Sequence, residues 1–144
     1  MDEGIDEPEI VIEERDILPS DAYSTFTRLH VVIPKNAPAR LKRLLILHEL
    51  IEAVTGSHLI ALFWEFVTDP VQYVKWRARS GDPMAMFWFA LFLAVPIVAV
   101  INNWVLSLLA ALLYIFLTML FIASKPVYDW AYVKTELVMK YGRY

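Results

Sequence analysis

Residues 84–122 read MAMFWFALFLAVPIVAVINNWVLSLLAALLYIFLTMLFI, without a single Asp, Glu, Lys or Arg. An Asn-Asn pair at residues 102–103 divides the stretch into apolar segments 84–101 and 104–122. As helices these segments would be about 27–29 Å long, close to the hydrocarbon thickness of a bilayer, which is about 30 Å. One uninterrupted helix would be nearly twice too long. The sequence therefore predicts a transmembrane helical hairpin with a polar turn, and a lipid bilayer as its partner.

Basic residues flank this hairpin and predict its orientation. Lys75, Arg77 and Arg79 precede it and Lys125 follows it. Cytoplasmic flanks of membrane helices are enriched in Lys and Arg. We therefore expect the N- and C-termini in the cytoplasm and residues 102–103 on the opposite side. A proton or ion pathway through this chain alone is not expected, because ionised groups are missing from both spans.

The overall composition limits the chemistry of the remainder of the chain. The protein has 144 residues, of which 58% are hydrophobic and none is cysteine. This length fits one small domain, or a domain with an anchor. The lack of cysteine excludes a disulfide framework, an iron–sulfur cluster and a thiol nucleophile. Any metal ion would have to be held by histidines and carboxylates.

The N-terminal segment is strongly acidic. Half of the 16 acidic residues precede residue 17, which excludes nucleic acid as a partner of this end. An acidic segment is usually solvated, although it can also dock on a basic neighbour, and both alternatives stay open. The first residues lack a basic region followed by an apolar core, so a cleavable signal peptide is not predicted.

These patterns predict a mainly α integral membrane protein with short N-terminal strands. We expect a strand at residues 25–33 with a partner at residues 9–13, because the first run is rich in β-branched residues. Helices are expected at residues 40–54 and 57–68, separated by Gly56.

The predicted organisation has five parts. They are an acidic segment (1–22), a strand with a helix pair that carries a metal-binding motif (23–69), a linker along the lipid headgroups (70–83), the transmembrane hairpin (84–122) and a C-terminal amphipathic helix (123–144).

The sequence LLILHELIEAVTGSH at residues 44–58 carries the only constellation that suggests chemistry. His48 and Glu52 are four residues apart, so on a helix they share a face and can clamp one metal ion. In the zinc peptidase signature H-E-x-x-H, the outer residues bind zinc and the second residue is the general base. Glu49 occupies that second position here, and Glu52 replaces the second histidine with an oxygen ligand.

A zinc site needs a third protein ligand, and His58 is the candidate. It lies ten residues after His48, where the metzincin pattern H-E-x-x-H-x-x-G-x-x-H has its third histidine. Gly56 would break the helix so that the chain can turn back. The chain departs from that pattern at Glu52 and in the offset of the glycine, and we find no Met-turn.

Residues 32–53, VIPKNAPARLKRLLILHELIEA, resemble another group more closely. They are similar to the strand, short loop and H-E-x-x-[HE]-A helix of small zincin-like proteins of phages and mobile elements. The resemblance covers residues 25–68. It implies that His48, Glu52 and His58 bind Zn²⁺, that Glu49 is the general base, and that the chain is a membrane-anchored zinc-dependent peptidase.

Glu65 and His30 are two further residues with a bearing on this motif. Glu65 lies seven residues after His58 and shares its helix face, so it is a candidate for orienting that imidazole from outside the metal. The alternative is an exposed helix acid. His30, on the predicted strand, is expected to be a surface or core histidine rather than a ligand.

The same residues allow a structural interpretation. Residues 44–67 are apolar enough to form a third membrane-embedded or buried helix pair. In that case their carboxylates pair with Arg40, Lys42 or Arg43 or face a partner subunit, and the histidines are merely hydrogen-bonded. The chain would then be a non-catalytic accessory subunit of a larger membrane complex or of a virion membrane, with other membrane subunits as partners.

Overall fold

A computed structural model describes residues 10–25 and 29–142. The chain forms a small three-stranded sheet followed by five helices. Their bounds are β1 (Val11–Arg15), a 3-10 turn (Pro19–Asp21), β2 (Tyr23–Thr25), β3 (His30–Pro34), α1 (Ala39–Thr55), α2 (His58–Thr68), α3 (Pro70–Ser80), α4 (Pro83–Val100) and α5 (Trp104–Tyr141). The predicted mainly helical chain with short N-terminal strands is confirmed.

The sheet has the order β1-β3-β2, so β3 is the central strand. β1 pairs with it in parallel and β2 pairs with it antiparallel, with Tyr23 opposite Val32. The single strand expected at residues 25–33 is therefore wrong, because the chain reverses within it. Leu29 has a positive φ of 43°, which ends extended structure, and residues 26–28 lie outside the described part. The expected partner strand begins at Val11, and its predicted start at Glu9 also lies outside that part.

Helix α1 forms the centre of the hydrophobic core. Every residue from Leu44 to Ile51 is buried, because the helix contacts the sheet on one side and α2 and α5 on others. A helix that is apolar all round must be covered on all sides. Within residues 44–67, therefore, the α1 portion is covered by protein.

Helices α4 and α5 are both long and apolar enough to cross a membrane. The ends of these helices next to the connecting turn are not covered by the rest of the described chain: Val100 is 85% exposed and Trp104 is 78% exposed. The near end of α4 packs on α2, where the ring centroids of Phe63 and Trp88 are 5.0 Å apart. Asn103 begins α5, since its Oδ1 accepts a hydrogen bond from the backbone of Val105 at 3.0 Å. The two predicted apolar helices are thus present, on either side of the predicted turn.

The separate C-terminal helix expected from residue 123 is not a separate element. It continues the second apolar helix without a break, and even Pro126 lies inside α5. Packing on α2 holds this region: Trp64 stacks on Tyr128 with ring centroids 4.2 Å apart and donates to Ser124 Oγ at 2.8 Å. The C-terminal half of α5 therefore lies against α1 and α2.

The expected interfacial linker is itself helical over most of its length. In α3, Lys75 and Arg79 are exposed, but Arg77 is buried. Arg77 is therefore enclosed by protein, whereas the other two basic residues of this segment face outward. Gly81, with a φ of +69°, ends α3, and Asp82 begins α4.

Candidate metal centre

Three side chains converge where α1 ends and α2 begins. His48 Nε2 lies 3.0 Å from Glu52 Oε2 and 3.1 Å from His58 Nδ1, and the latter atom lies 3.1 Å from Glu52 Oε2. Donors bound tetrahedrally to zinc are about 3.3 Å apart. The three residues can hold a metal ion, each with one ligand atom. The sequence-predicted ligands are thus brought together.

Local sequence builds this triangle. One turn of α1 places Glu52 beside His48, and Gly56 ends the helix with a left-handed φ of +67°. A Cβ atom on Gly56 would meet nothing within 4 Å, so backbone conformation rather than space favours glycine there. Ser57 then starts α2 by accepting a hydrogen bond from the amide of Ile60 at 3.3 Å. The chain turns within two residues, which returns His58 to the other two ligands.

The second nitrogen of His48 faces a buried carboxylate. Since a carboxylate only accepts, His48 Nδ1–H donates to Glu65 Oε2, over 2.8 Å. Glu65 is 0% exposed and also accepts from Trp76 Nε1 at 3.0 Å and from two nitrogens of Arg77, the shorter contact being 2.8 Å. The expectation that Glu65 orients His58 is wrong. The α2 face that carries Glu65 packs against α1, so the carboxylate meets His48 instead.

His58 has a different carboxylate partner, Asp82. His58 Nε2 lies 3.0 Å from Asp82 Oδ2, and the Nη1 atom of Arg77 lies 3.9 Å from the same oxygen. Sequence reasoning missed Asp82 and Arg77 as parts of this site. The segment Gly81-Asp82-Pro83 indicates the start of a helix, but no local pattern connects it to a histidine 24 residues earlier.

Each histidine thus offers one nitrogen to the cluster and fixes its ring with the other. This arrangement selects the tautomer that leaves the inward nitrogen free to bind a metal and raises its basicity. In the neutral form, His48 would bind through Nε2 and His58 through Nδ1.

In the absence of metal, hydrogen bonds between the histidines and the neighbouring carboxylates hold the cluster together. Burial opposes the charged form of His48, but hydrogen bonds to Glu52 and Glu65 outweigh it and raise its pKa to about 9. A hydrogen bond to Glu52 raises the pKa of His58 as well. Hydrogen bonds from both histidines hold the pKa of Glu52 far below its usual range. Without metal, both imidazoles are therefore stabilised in their protonated forms.

A cleft of about 250 Å³ opens over the cluster, and Glu49 lines it beside the three candidate ligands. Burial raises the pKa of Glu49 above its ordinary value. Tyr23 and Ser24 of β2 also line the cleft. Central β3 is paired on both sides. Among the described strands, β2 is the edge strand that faces the cleft.

The ion pairs expected from the structural interpretation are not formed. Arg40 pairs with Asp69, Lys42 with Glu14, and Arg43 with Glu136. None of these three cations holds a carboxylate of the cluster. His30 pairs with Glu13 of the neighbouring strand at 2.9 Å, in agreement with its expected structural role.

No protein-family model, curated protein or solved structure matches this chain. Its functional assignment therefore depends on the geometry of His48, Glu52, His58 and the groups around them.

Proposed function

We propose that the protein is a membrane-anchored, zincin-like metal-dependent peptidase. His48, Glu52 and His58 would hold Zn²⁺, leaving the fourth position for water as in catalytic zinc sites. One observation carries the proposal: three ligand atoms meet within 4.8 Å, and a carboxylate fixes the outward nitrogen of each histidine.

Glu49 is the general base in this proposal. When bound, zinc supplies a Lewis acid that polarises water and the scissile carbonyl. Glu49 takes a proton from the attacking water, whose oxygen forms the new bond to the carbonyl carbon. The same carboxyl group delivers the proton to the amide nitrogen as the carbon–nitrogen bond breaks. A base with a pKa raised towards neutrality suits both steps.

The edge strand and the first apolar helix favour a particular substrate class. An extended peptide can add to the free edge of β2, above the cluster, with main-chain hydrogen bonds. Asp82 touches His58 and also begins α4, so an inserted α4 would place the cluster at the membrane surface. We therefore propose peptide bonds close to a membrane as the substrates.

Zinc content of the purified full-length protein tests the site. We expect one zinc ion per chain in wild type and none in His48→Ala or Glu52→Ala. The matched control is His30→Ala, since His30 pairs with Glu13 outside the cluster. Absence of stoichiometric zinc from wild type, or zinc retained by His48→Ala, rejects the proposal.

Glu49→Gln separates binding from catalysis. The variant should keep its zinc because Glu49 is not a ligand, and it should lose peptide hydrolysis by about 10²–10⁴-fold. Hydrolysis of a fluorogenic peptide library by the reconstituted protein measures this loss. Full activity in Glu49→Gln would remove Glu49 from the mechanism while leaving the metal site intact.

A second candidate function is favoured by the exposed apolar surface of the hairpin. Side chains such as Ile97 and Tyr114 are 61% and 70% exposed, which suits partner helices as well as lipid. The chain would then be an accessory subunit of a larger membrane assembly, with a purely structural metal site. Blue-native electrophoresis after mild extraction tests the accessory role. Migration as a monomer or small homo-oligomer contradicts it.

A further inference from the structure

The two carboxylate oxygens of Asp82 contact two different helices, α2 and α4. Oδ2 lies 3.0 Å from Nε2 of His58, the candidate ligand at the start of α2. Oδ1 accepts a hydrogen bond from the backbone amide of Met84 at 3.0 Å, which makes Asp82 the N-cap of α4. The two contacts therefore occupy both oxygens of the carboxylate, one at His58 and one at the backbone of α4.

Neighbouring contacts also join α2 to α4. Trp88, in the second turn of α4, donates from Nε1 to the backbone carbonyl of Leu59 at 2.9 Å. Leu59 directly follows His58, so the first turn of α2 is held by α4. On α3, Arg77 binds Glu65 and lies 3.9 Å from Asp82, which connects the carboxylate partners of both histidines.

We propose that Asp82 is a positioning residue that couples metal binding to the first turn of α4. Its carboxylate fixes His58 in the tautomer whose Nδ1 can bind the metal, and the same group caps the apolar helix. Metal binding and formation of that first turn therefore stabilise each other. This inference depends on the proposed metal site.

The coupling has to be reciprocal. If an ordered first turn of α4 strengthens metal binding by some factor, bound metal must favour that ordered turn by the same factor. Loss of a carboxylate that orients a metal-binding histidine typically costs 10–100-fold in metal affinity. Both directions can be measured on the full chain in nanodiscs, with Zn²⁺ alone as the ligand.

Two substitutions separate the roles of Asp82. Serine caps helices well, but it is too short to reach His58, so Asp82→Ser keeps the cap and loses the imidazole contact. In Asp82→Asn one of the two acceptor oxygens becomes an NH₂ group that only donates, and the remaining neutral oxygen is a weaker acceptor for the imidazole than a carboxylate. We expect both variants to bind Zn²⁺ about 10–100-fold more weakly than wild type.

Asn103→Ser is the matched control. Asn103 caps α5 through its side chain, as Asp82 caps α4, and it lies at the opposite end of α4 from the cluster. This variant should bind Zn²⁺ as wild type does. Calorimetric titration or competition with a zinc chelator gives the affinities.

Hydrogen exchange provides the readout that a merely structural role would not change. Zn²⁺ should slow exchange of the amides at residues 84–87 by about tenfold or more in wild type. In Asp82→Ser, added Zn²⁺ should have little effect on the same amides, because the connection to His58 is cut. The amides at residues 105–108 of α5 should not respond in either protein.

The outcomes distinguish this inference from the proposed function. Failure of wild type to bind Zn²⁺ overturns both. Zinc binding that requires His48, but is as tight in Asp82→Ser and Asp82→Asn as in wild type, overturns only the coupling. If Zn²⁺ does not change the rate of amide hydrogen exchange at residues 84–87 in wild type, the coupling is overturned as well.

Discussion

At the scale of single residues, the candidate metal centre contains several carboxylates whose negative charge a divalent cation can neutralise. Glu52, Glu65 and Asp82 each have a lowered pKa and are therefore anionic. Protonated His48 and Arg77 place positive charge opposite these carboxylates, and the raised pKa of His58 favours a proton there as well. A divalent metal ion that displaces protons from the imidazoles supplies positive charge in their place. The carboxylates therefore face positive charge both with and without metal.

Zinc binding should accordingly depend on pH. Only neutral imidazole binds zinc, and the pKa of His48 in the metal-free protein is about 9. We expect the proton of His48 to be released when zinc binds near pH 7 and the apparent affinity to rise as the pH approaches 9. Titration calorimetry in buffers of different ionisation enthalpy measures the protons released. Zinc binding without proton release would contradict the protonated state of His48.

The same shift predicts the stability of the metal-free protein. The pKa of His48 is higher in the folded chain than its unfolded value of about 6.5. Its stabilising contribution is complete below that value and is lost as the pH rises through about 9. Melting temperatures of metal-free protein should therefore fall between pH 7 and pH 9.5. Saturating zinc should reduce this fall, because bound imidazoles stay neutral throughout.

At the scale of elements, the centre depends on how α1 ends. Gly56 adopts a left-handed conformation, which costs other residues roughly 1–2 kcal/mol, and a left-handed asparagine costs less than alanine. We expect Gly56→Ala to lower the free energy of unfolding by about 1–2 kcal/mol and Gly56→Asn to lower it less. Thermal unfolding in detergent measures the relative stability of wild type, Gly56→Asn and Gly56→Ala.

Gly142 provides the control for metal binding. It also has a left-handed φ, of +81°, and it ends α5. Gly56→Ala should weaken zinc binding together with stability, because it disturbs the turn between His48 and His58. Gly142→Ala should leave zinc affinity unchanged. Equal zinc affinity in wild type and Gly56→Ala would show that the turn does not position the ligands.

At the scale of the whole molecule, the sheet and helices α1, α2 and α3 pack at one end of the two apolar helices. Contacts from α2 reach Trp88 and Phe92 on α4 and Phe121 and Tyr128 on α5. Beyond these contacts the hairpin is largely exposed up to its turn at residue 103. This division suits a protein whose cleft is in water and whose hairpin is in lipid.

The absence of cysteine makes the orientation directly measurable. Asn102 and Lys140 are both exposed, and α5 separates them by most of its length. In intact cells, a membrane-impermeant maleimide should label Asn102→Cys and not Lys140→Cys. After permeabilisation both variants should react. Labelling of Lys140→Cys alone in intact cells would invert the predicted orientation.

The sequence by itself determined the features that depend on short separations along the chain. The apolar helices follow from an uncharged run interrupted by Asn102 and Asn103. The ligand set follows from helix periodicity, which places Glu52 beside His48, and from the glycine break that returns His58. The apolar run is continuous in sequence and the candidate ligands lie within ten residues of one another, so local composition and geometry are sufficient to predict them.

Only the tertiary structure decided which groups surround those ligands. Glu65 meets His48 across 17 residues, and Asp82 meets His58 across 24. Such contacts depend on the packing of α2, α3 and α4, which periodicity along one helix does not specify. The division of the predicted strand and the continuity of α5 have the same origin, because burial against distant elements outweighs local propensity.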